Sequence, residues 1–247
     1  MQALAVRAFG SAATDLDVAF GPRPADALAT EVLARCVGED AATVERWTLA
    51  RRLQALLAVR CAEAADAAVS ATVACTACGG RFEIELPLAR CVQDVDETPL
   101  TLTPAPGRRL SVRLPQAADL AAWRATAADD EATLAARLVL AVDGQAPAPD
   151  FVPTAGEVEA IAEQLAARDP FTALQVEAAC PDCGHGNAAD VNLEQLLLHD
   201  FAALQRRLLD EVATLARAFH WSEAQILELP AWRRAHYLAR VSALGLS

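Results

Sequence analysis

The segments "VACTACGG" (residues 73–80) and "AACPDCGH" (residues 178–185) carry four of the seven cysteines of this 247-residue chain. In each segment two residues separate a pair of cysteines, and a glycine follows the second cysteine. Glycine readily adopts the positive φ that a tight turn requires. We therefore predict two similar turns, each with two thiols directed into its mouth, and call residues 75–80 knuckle 1 and residues 180–185 knuckle 2.

The sequences around the two knuckles repeat with an offset of 105 residues. Apolar residues alternate with other residues before and after each knuckle, which is typical of a strand, a short turn and a second strand. The alternation keeps its phase in both copies, so the match extends beyond the cysteines. The corresponding apolar positions are Val69, Ala71 and Val73 with Leu174, Val176 and Ala178, and Ile84, Leu86 and Leu88 with Ala189, Val191 and Leu193.

Two such knuckles can supply the four ligands of one metal ion. Zinc prefers four tetrahedral ligands, and four cysteines form a common closed structural site. The spacing therefore predicts one structural Zn²⁺ per chain. Iron also accepts four sulfur ligands, but it is less expected because the chain has no sign of a redox partner domain. The predicted metal ligands are Cys75, Cys78, Cys180 and Cys183.

Three other interpretations of the cysteines stay open at this point. His185 could replace one sulfur ligand, although a solvated turn residue is the simpler interpretation. A thioredoxin-type redox role would place the cysteine pair at a helix N-terminus, whereas here each pair joins two strands. The cysteines could also pack without a metal, because free cysteines bury readily. The unpaired cysteines, Cys36, Cys61 and Cys91, are predicted to be buried apolar residues.

Composition restricts the function classes. The formal net charge is −12, which disfavours binding to nucleic acid or to an anionic membrane. The chain has no run of eighteen apolar residues and no signal-peptide pattern at its N-terminus. We therefore expect a cytoplasmic protein, whose cysteines are more often metal ligands or redox groups than disulfides.

The remaining patterns predict an α+β fold that is mainly helical, with the two knuckle units forming a zinc-ribbon-like core. A stripe of apolar residues over 193–220 predicts one long amphipathic helix, and a capping box at 222–225 predicts the start of another helix. The predicted organisation is a loose arm over 1–23, helices, knuckle 1 and a hairpin over 24–142, a linker over 143–154, and a helix, knuckle 2 and C-terminal helices over 155–247.

Some shorter segments carry predictions of their own. Residues 99–115 predict a hairpin with "PAPG" as its turn, and residues 40–64 and 131–142 each predict a helix. Four pairs of adjacent arginines, including residues 51–52, are interpreted as solvated faces. Trp221, Trp232 and Tyr237 are more simply explained as the core of the last helix pair than as an exposed docking surface.

The C-terminal third resembles the T-even-type phage baseplate-hub assembly family, found in myophages and in gene clusters for contractile injection systems. The resemblance rests on the order of weak motifs: Asp-Pro at 169–170, "CPDCGH", "RLLDEV" at 207–212, "WSEAQILEL" at 221–229 and "RRAHYL" at 233–238. The segment "LSVRLPQAADLAAW" (110–123) matches further upstream, so that the resemblance spans residues 40–243. Gln116, Asn187 and His220 depart from the family pattern; at Asn187 an aromatic is usual, and its loss would loosen that strand.

The resemblance implies an assembly factor or minor structural component of the baseplate hub, with hub or spike proteins as partners. Whether the protein stays in the finished particle is left open by the resemblance. Motifs for serine hydrolases, P-loop nucleotide binding and zinc proteases are missing from the sequence, so we expect no enzyme. The alternative is a zinc-ribbon adaptor or regulator that binds another protein or a nucleic acid. A redox or metal enzyme is a third class, and the oligomeric state stays open.

Overall fold

The computed structural model describes residues 5–104, 107–126 and 130–243, and it confirms the predicted α+β class. Three small antiparallel sheets lie among the helices. The helices are α1 (Ala25–Val37), α2 (Ala41–Glu45), α3 (Leu49–Cys61), α4 (Ala117–Thr126), α5 (Glu131–Leu138), α6 (Ala155–Arg168), α7 (Leu193–Phe219), α8 (Glu223–Leu227) and α9 (Ala231–Ala243). The strands are β1 (Ala68–Ala74), β2 (Arg81–Pro87), β3 (Leu100–Leu102), β4 (Leu110–Val112), β5 (Val139–Val142), β6 (Leu174–Ala179) and β7 (Gly186–Val191).

The long helix α7 organises the main hydrophobic core. The apolar stripe of α7 is buried as predicted. The helix packs against α1, α3 and the hairpin formed by β1 and β2. The helix ends at Phe219, because the next residue, His220, has a left-handed φ of 56°; the His220 N–H group donates the last helical hydrogen bond, to the Ala216 carbonyl. Leu33, Leu57 and Phe201 lie in this core, which therefore contains residues from both predicted halves of the chain. The hydrophobic packing thus crosses the predicted division into 24–142 and 155–247.

The single helix predicted over residues 40–64 is instead two helices. Asp40 caps α2 by accepting a hydrogen bond from the Thr43 N–H group, and Thr48 caps α3 by accepting one from the Arg51 N–H group. Each cap satisfies a backbone donor that a helix leaves free at its first turn. The second cap begins a new helix within the predicted one, and Trp47 is buried at the break.

The arm predicted to be loose packs against the helices over its described part, residues 5–23. Phe9 and Val18 are buried in the main core. Arg7 holds the fully buried Asp15 through two hydrogen bonds of 2.6 Å. The Gln205 amide nitrogen of α7 lies 3.0 Å from the Asp15 carbonyl oxygen and 2.8 Å from that of Val18. These buried polar contacts fix the segment on α7, because breaking them would leave unpaired groups in the interior.

A second core forms where β3, β4 and β5 pack against α5 and α6. The predicted hairpin is confirmed as β3 and β4, while part of its turn lies outside the described residues. The helix predicted over 131–142 is wrong at its C-terminal end, because α5 stops at Leu138 and the next residues form β5. Val139 pairs with Val112. An apolar run such as residues 138–142 is compatible with a buried strand as well as with a helix. Here it forms a strand because it pairs with the edge of β4.

Two arginines predicted to be solvated, Arg52 and Arg234, are buried. Arg52 of α3 is fully inaccessible and donates hydrogen bonds to Thr30 Oγ1 at 2.9 Å and to the Asp26 carbonyl oxygen at 2.8 Å. The carboxylate of Glu194 in α7 lies 3.9 Å from Arg52 Nε. Burial raises the pKa of Glu194, and the positive charge of Arg52 partly opposes that shift. This cluster links α1, α3 and α7 inside the core.

The C-terminal aromatic residues divide between core and surface. Trp221 and Tyr237 pack with Phe219 in a third hydrophobic cluster between the end of α7 and α9, at ring distances of 4.8 to 5.5 Å. Trp232, in the first turn of α9, is 66% exposed. Within the described ranges, none of the helices is both long and apolar enough to cross a lipid bilayer.

Candidate metal centre

Two similar hairpins carry the two knuckles. In the first hairpin β1 pairs with β2 from Ala68↔Pro87 to Ala74↔Arg81, and in the second β6 pairs with β7 from Leu174↔Val191 to Ala179↔Gly186. The predicted alternation places one apolar face on each hairpin. Each cysteine pair therefore lies in the turn between two antiparallel strands, as predicted, and away from any helix N-terminus.

The backbone of the two knuckles is nearly the same. In knuckle 1 the Cys75 N–H group donates to the Gly80 carbonyl at 2.8 Å, and the Gly79 N–H group donates to the Cys75 carbonyl at 3.0 Å. Gly79 and Gly184 both have a φ of 74°, which confirms the role predicted for these glycines. The equivalent hydrogen bonds of knuckle 2 are Cys180 N–H to His185 O at 2.8 Å and Gly184 N–H to Cys180 O at 2.9 Å.

The fold brings the four predicted ligands together. The sulfur atoms of Cys75, Cys78, Cys180 and Cys183 all lie within 4.8 Å of one another. Two close separations cross between the knuckles: 3.6 Å from Cys75 to Cys183 and 3.8 Å from Cys78 to Cys180. A tetrahedral ion with metal–sulfur bonds of about 2.3 Å separates its ligand sulfurs by about 3.8 Å. The donor set and its spacing are therefore compatible with one metal ion.

The other cysteines and His185 lie outside this cluster. Within the described residues, the group of four sulfurs is the one cluster of three or more His, Cys, Asp or Glu side chains that could hold a metal, and it does not include His185. Cys36 and Cys91 are buried as predicted, and Cys61 is half-buried. All seven cysteines, each in the described part of the chain, are free thiols.

The site is asymmetric in burial and in proton affinity. Cys75 and Cys180 are buried, whereas Cys78 and Cys183 are exposed. The hydrogen bond from the Cys78 N–H group lowers the pKa of Cys75 to about 6. The His185 N–H group acts to lower the pKa of Cys183, but the hydrogen bond with Cys75 and burial outweigh it and raise the pKa to about 12. Metal-free, the site therefore combines a readily ionised thiol with one that resists ionisation.

Asn187 is a polar residue of the site whose role the sequence did not reveal. It is 4% exposed. Its Oδ1 accepts a hydrogen bond from the backbone N–H group of Thr76 at 2.9 Å and another from the Thr76 hydroxyl at 3.1 Å. Its Nδ2 donates to the His185 carbonyl at 2.9 Å and lies 3.7 Å from the Cys75 sulfur. The expectation that Asn187 loosens its strand is wrong, because β7 pairs with β6 through Ala178↔Asn187. The sequence did contain one signal for this role: Asn187 is a polar residue at a position where the alternating pattern of the strand predicts an inward-facing side chain.

Comparison with known proteins gives no match to a protein-family model, a curated protein or a solved structure. The resemblance to the baseplate-hub family therefore stays a prediction from the order of its motifs. The chemistry of the site is defined by the four thiols: a metal bound by all four would have no coordination position left for water or substrate.

Proposed function

We propose that the protein is a non-enzymatic assembly factor or minor structural component of the baseplate hub of a phage-tail-like contractile particle. In this proposal Cys75, Cys78, Cys180 and Cys183 hold one structural Zn²⁺, and the two knuckle hairpins form a zinc-ribbon-like core. The protein acts in the cytoplasm of a bacterial or phage-infected cell, and it contacts hub or spike proteins.

The convergence of the four thiols carries the structural part of this proposal. Zinc has no redox chemistry, and a four-sulfur environment that fills its tetrahedron supplies folding energy rather than catalysis. Iron fits the same donors, so that the metal identity needs a measurement. Elemental analysis of protein purified without added metal should give about one zinc per chain. One iron per chain with visible absorbance would support electron transfer instead.

The outer face of α9 supports a role in binding other proteins. Trp232 is 66% exposed, and Arg233, His236 and Arg240 are exposed beside it. Arg234 points inward and pairs with Glu211 of α7 at 3.1 Å, so that it anchors the helix. Tryptophan and arginine are enriched among the residues that dominate binding energy at protein interfaces. We name Trp232, Arg233, His236 and Arg240 the α9 face.

The assignment to a baseplate hub rests on the order of the sequence motifs, and a binding experiment tests it. The tagged chain should co-elute in size-exclusion chromatography with a hub or spike protein produced from the same gene cluster. Trp232→Ala should weaken that complex without changing metal content. A chain that co-elutes with no hub or spike protein, and whose gene deletion leaves intact contractile particles, would contradict the proposal.

The α9 face also favours the second candidate, an adaptor or regulator that binds nucleic acid. The α9 face carries two arginines, Arg233 and Arg240, and no acidic residue, although the whole chain carries a net charge of −12. Binding to phosphates would weaken steeply as salt concentration rises. Titration of a fluorescent DNA duplex and a single strand at two salt concentrations separates the candidates: tight, salt-sensitive binding that Arg233→Glu abolishes would favour the adaptor.

A further inference from the structure

The two halves of the metal centre differ at several positions of the repeat, and one of these differences lies beside the thiols. The offset of 105 residues makes Asn187 of β7 equivalent to Phe82 of β2. The register agrees, since Phe82 pairs with Val73 and Asn187 pairs with Ala178, which are themselves equivalent. Phe82 has no side-chain hydrogen-bonding group, so it cannot form the contacts that Asn187 makes. A polar link between the knuckles therefore exists on one side of the repeat.

The amide of Asn187 uses its hydrogen-bonding capacity fully. Its oxygen accepts two hydrogen bonds from Thr76, and its nitrogen contacts the His185 carbonyl and the Cys75 sulfur. An amide side chain offers two acceptor and two donor positions, and all four are taken here. Because the group is buried, losing these partners would leave unpaired polar atoms in the interior.

The partners of Asn187 fix one knuckle relative to the other. Thr76 lies between the two ligands of knuckle 1, while His185 belongs to knuckle 2. Backbone contacts within one hairpin set the spacing of its own two thiols, but they do not set the distance to the other pair. The bonds between Asn187 and Thr76 span that gap at 2.9 and 3.1 Å.

We propose that Asn187 is a positioning residue of the metal centre: it docks knuckle 1 onto knuckle 2 before a metal binds and hydrogen-bonds the sulfur of Cys75. The inference rests on the proposed function because it requires a metal held by the four thiols. Residues that hydrogen-bond metal ligands fix the geometry of those ligands, and their loss weakens metal binding by about 10- to 100-fold. The same loss is expected for Asn187→Leu, which removes all four contacts.

The experiment compares Asn187→Leu with a control at the other asparagine of the chain. Asn192 caps α7 by accepting a hydrogen bond from the Gln195 N–H group at 2.9 Å, and it makes no contact with the thiols. Asn192→Ala should lower the melting temperature and leave metal affinity unchanged. Affinity is measured with Co²⁺ as the probe, by the thiolate-to-metal absorption of a tetrahedral site, and with Zn²⁺ in competition with a chelator.

A second substitution separates a local effect from a failure to fold. Thr76→Val removes one of the two bonds to Asn187 and keeps the backbone N–H group, so a loss of affinity smaller than that of Asn187→Leu is expected. If Asn187→Leu does not fold, Thr76→Val and Asn187→Ser carry the test, and both must weaken Co²⁺ binding.

The outcomes distinguish this inference from the proposed function. Wild-type protein that binds neither Co²⁺ nor Zn²⁺ through its thiols would overturn both. Wild-type protein that binds metal tightly, with the same affinity in the Asn187 and Thr76 variants, would overturn the inference alone. An affinity loss in Asn192→Ala as large as that in Asn187→Leu would show a general effect of stability and would also overturn it.

Discussion

The sulfur of Cys75 lies 3.6 Å from the sulfur of Cys183, although 108 residues separate the two in the chain. A metal between them would join a hairpin near the end of the first third of the chain to one in its last third. The packing of α7 against α1 and α3 already joins the same regions. The metal therefore adds to an existing core, and its loss should weaken the fold rather than abolish it.

Replacing one ligand from each knuckle tests the shared site. Cys75→Ser and Cys180→Ser should each remove the metal and lower the melting temperature. A bound metal stabilises by about 4 kcal/mol when its free concentration is about 1,000 times Kd, and that contribution would be lost. Cys61→Ser, at a half-buried thiol outside the cluster, is the control. Unchanged metal content and melting temperature in both ligand variants would rule out the shared site.

Proton release on metal binding should depend on pH. A metal binds thiolates, so each thiol that is protonated in the free protein releases its proton. Cys75, with a pKa of about 6, is a thiolate at pH 8 and a thiol at pH 5, whereas Cys183, with a pKa of about 12, is a thiol at both. The contribution of Cys75 to the release should therefore rise by about one proton per metal between pH 8 and pH 5, while affinity falls. Titration calorimetry in buffers of different ionisation enthalpy measures it, and equal release at both pH values would contradict the prediction.

The adjacent arginines 51 and 52 should differ strongly in their contribution to stability. Arg52→Ala removes a buried cation and leaves the Asp26 carbonyl and Glu194 without it, which should cost about 3 to 5 kcal/mol. Arg51 is only partly buried, with 40% of its side chain accessible, and it lies 3.4 Å from Glu97, so that Arg51→Ala should cost less than about 1 kcal/mol. Urea denaturation of both variants measures the difference. Equal losses would mean that the position of Arg52 inside the core is wrong.

Trp221 and Trp232 provide a matched pair at the C-terminal end. Trp221→Ala opens the aromatic cluster with Phe219 and Tyr237 and should cost about 3 kcal/mol. Trp232→Ala should change the free energy of unfolding by no more than about 0.5 kcal/mol, because its ring is mostly in solvent. Thermal unfolding measures both. A large loss on replacing Trp232 would show that it has a structural role and would remove it from the α9 face.

Local periodicity was sufficient to predict the parts of the fold that one face of a single element determines. The spacing of Leu197, Phe201, Leu204 and Leu208 marks α7 because each residue falls on the same side of a helix. The alternation around the cysteines marks both hairpins, and the repeat marks the ligands. In these cases the burial of one face of the helix or hairpin stabilises the same secondary structure that the local sequence pattern favours.

The features that the sequence did not reveal depend on contacts between distant residues. Arg52 is buried because Thr30 and Asp26 of α1 supply acceptors for it, and a helical pattern around residue 52 cannot contain that information. β5 forms because β4 offers an edge, while its apolar run alone is equally consistent with a helix. Asn187 was visible as an irregular residue, but its partner Thr76 lies 111 residues away.

The positions of the cysteines also have a mechanical consequence. Cys78 and Cys180 are 102 residues apart in the chain, and the whole second core, from β3 to α6, lies between them. If the chain were pulled from its two ends with a metal bound, the force would pass from one knuckle to the other through the metal–sulfur bonds. The second core would carry no load until those bonds broke, and rupture would then release up to about 350 Å of extended chain. With a metal bound, the two knuckles would thus keep tension from reaching the part of the chain that is folded between them.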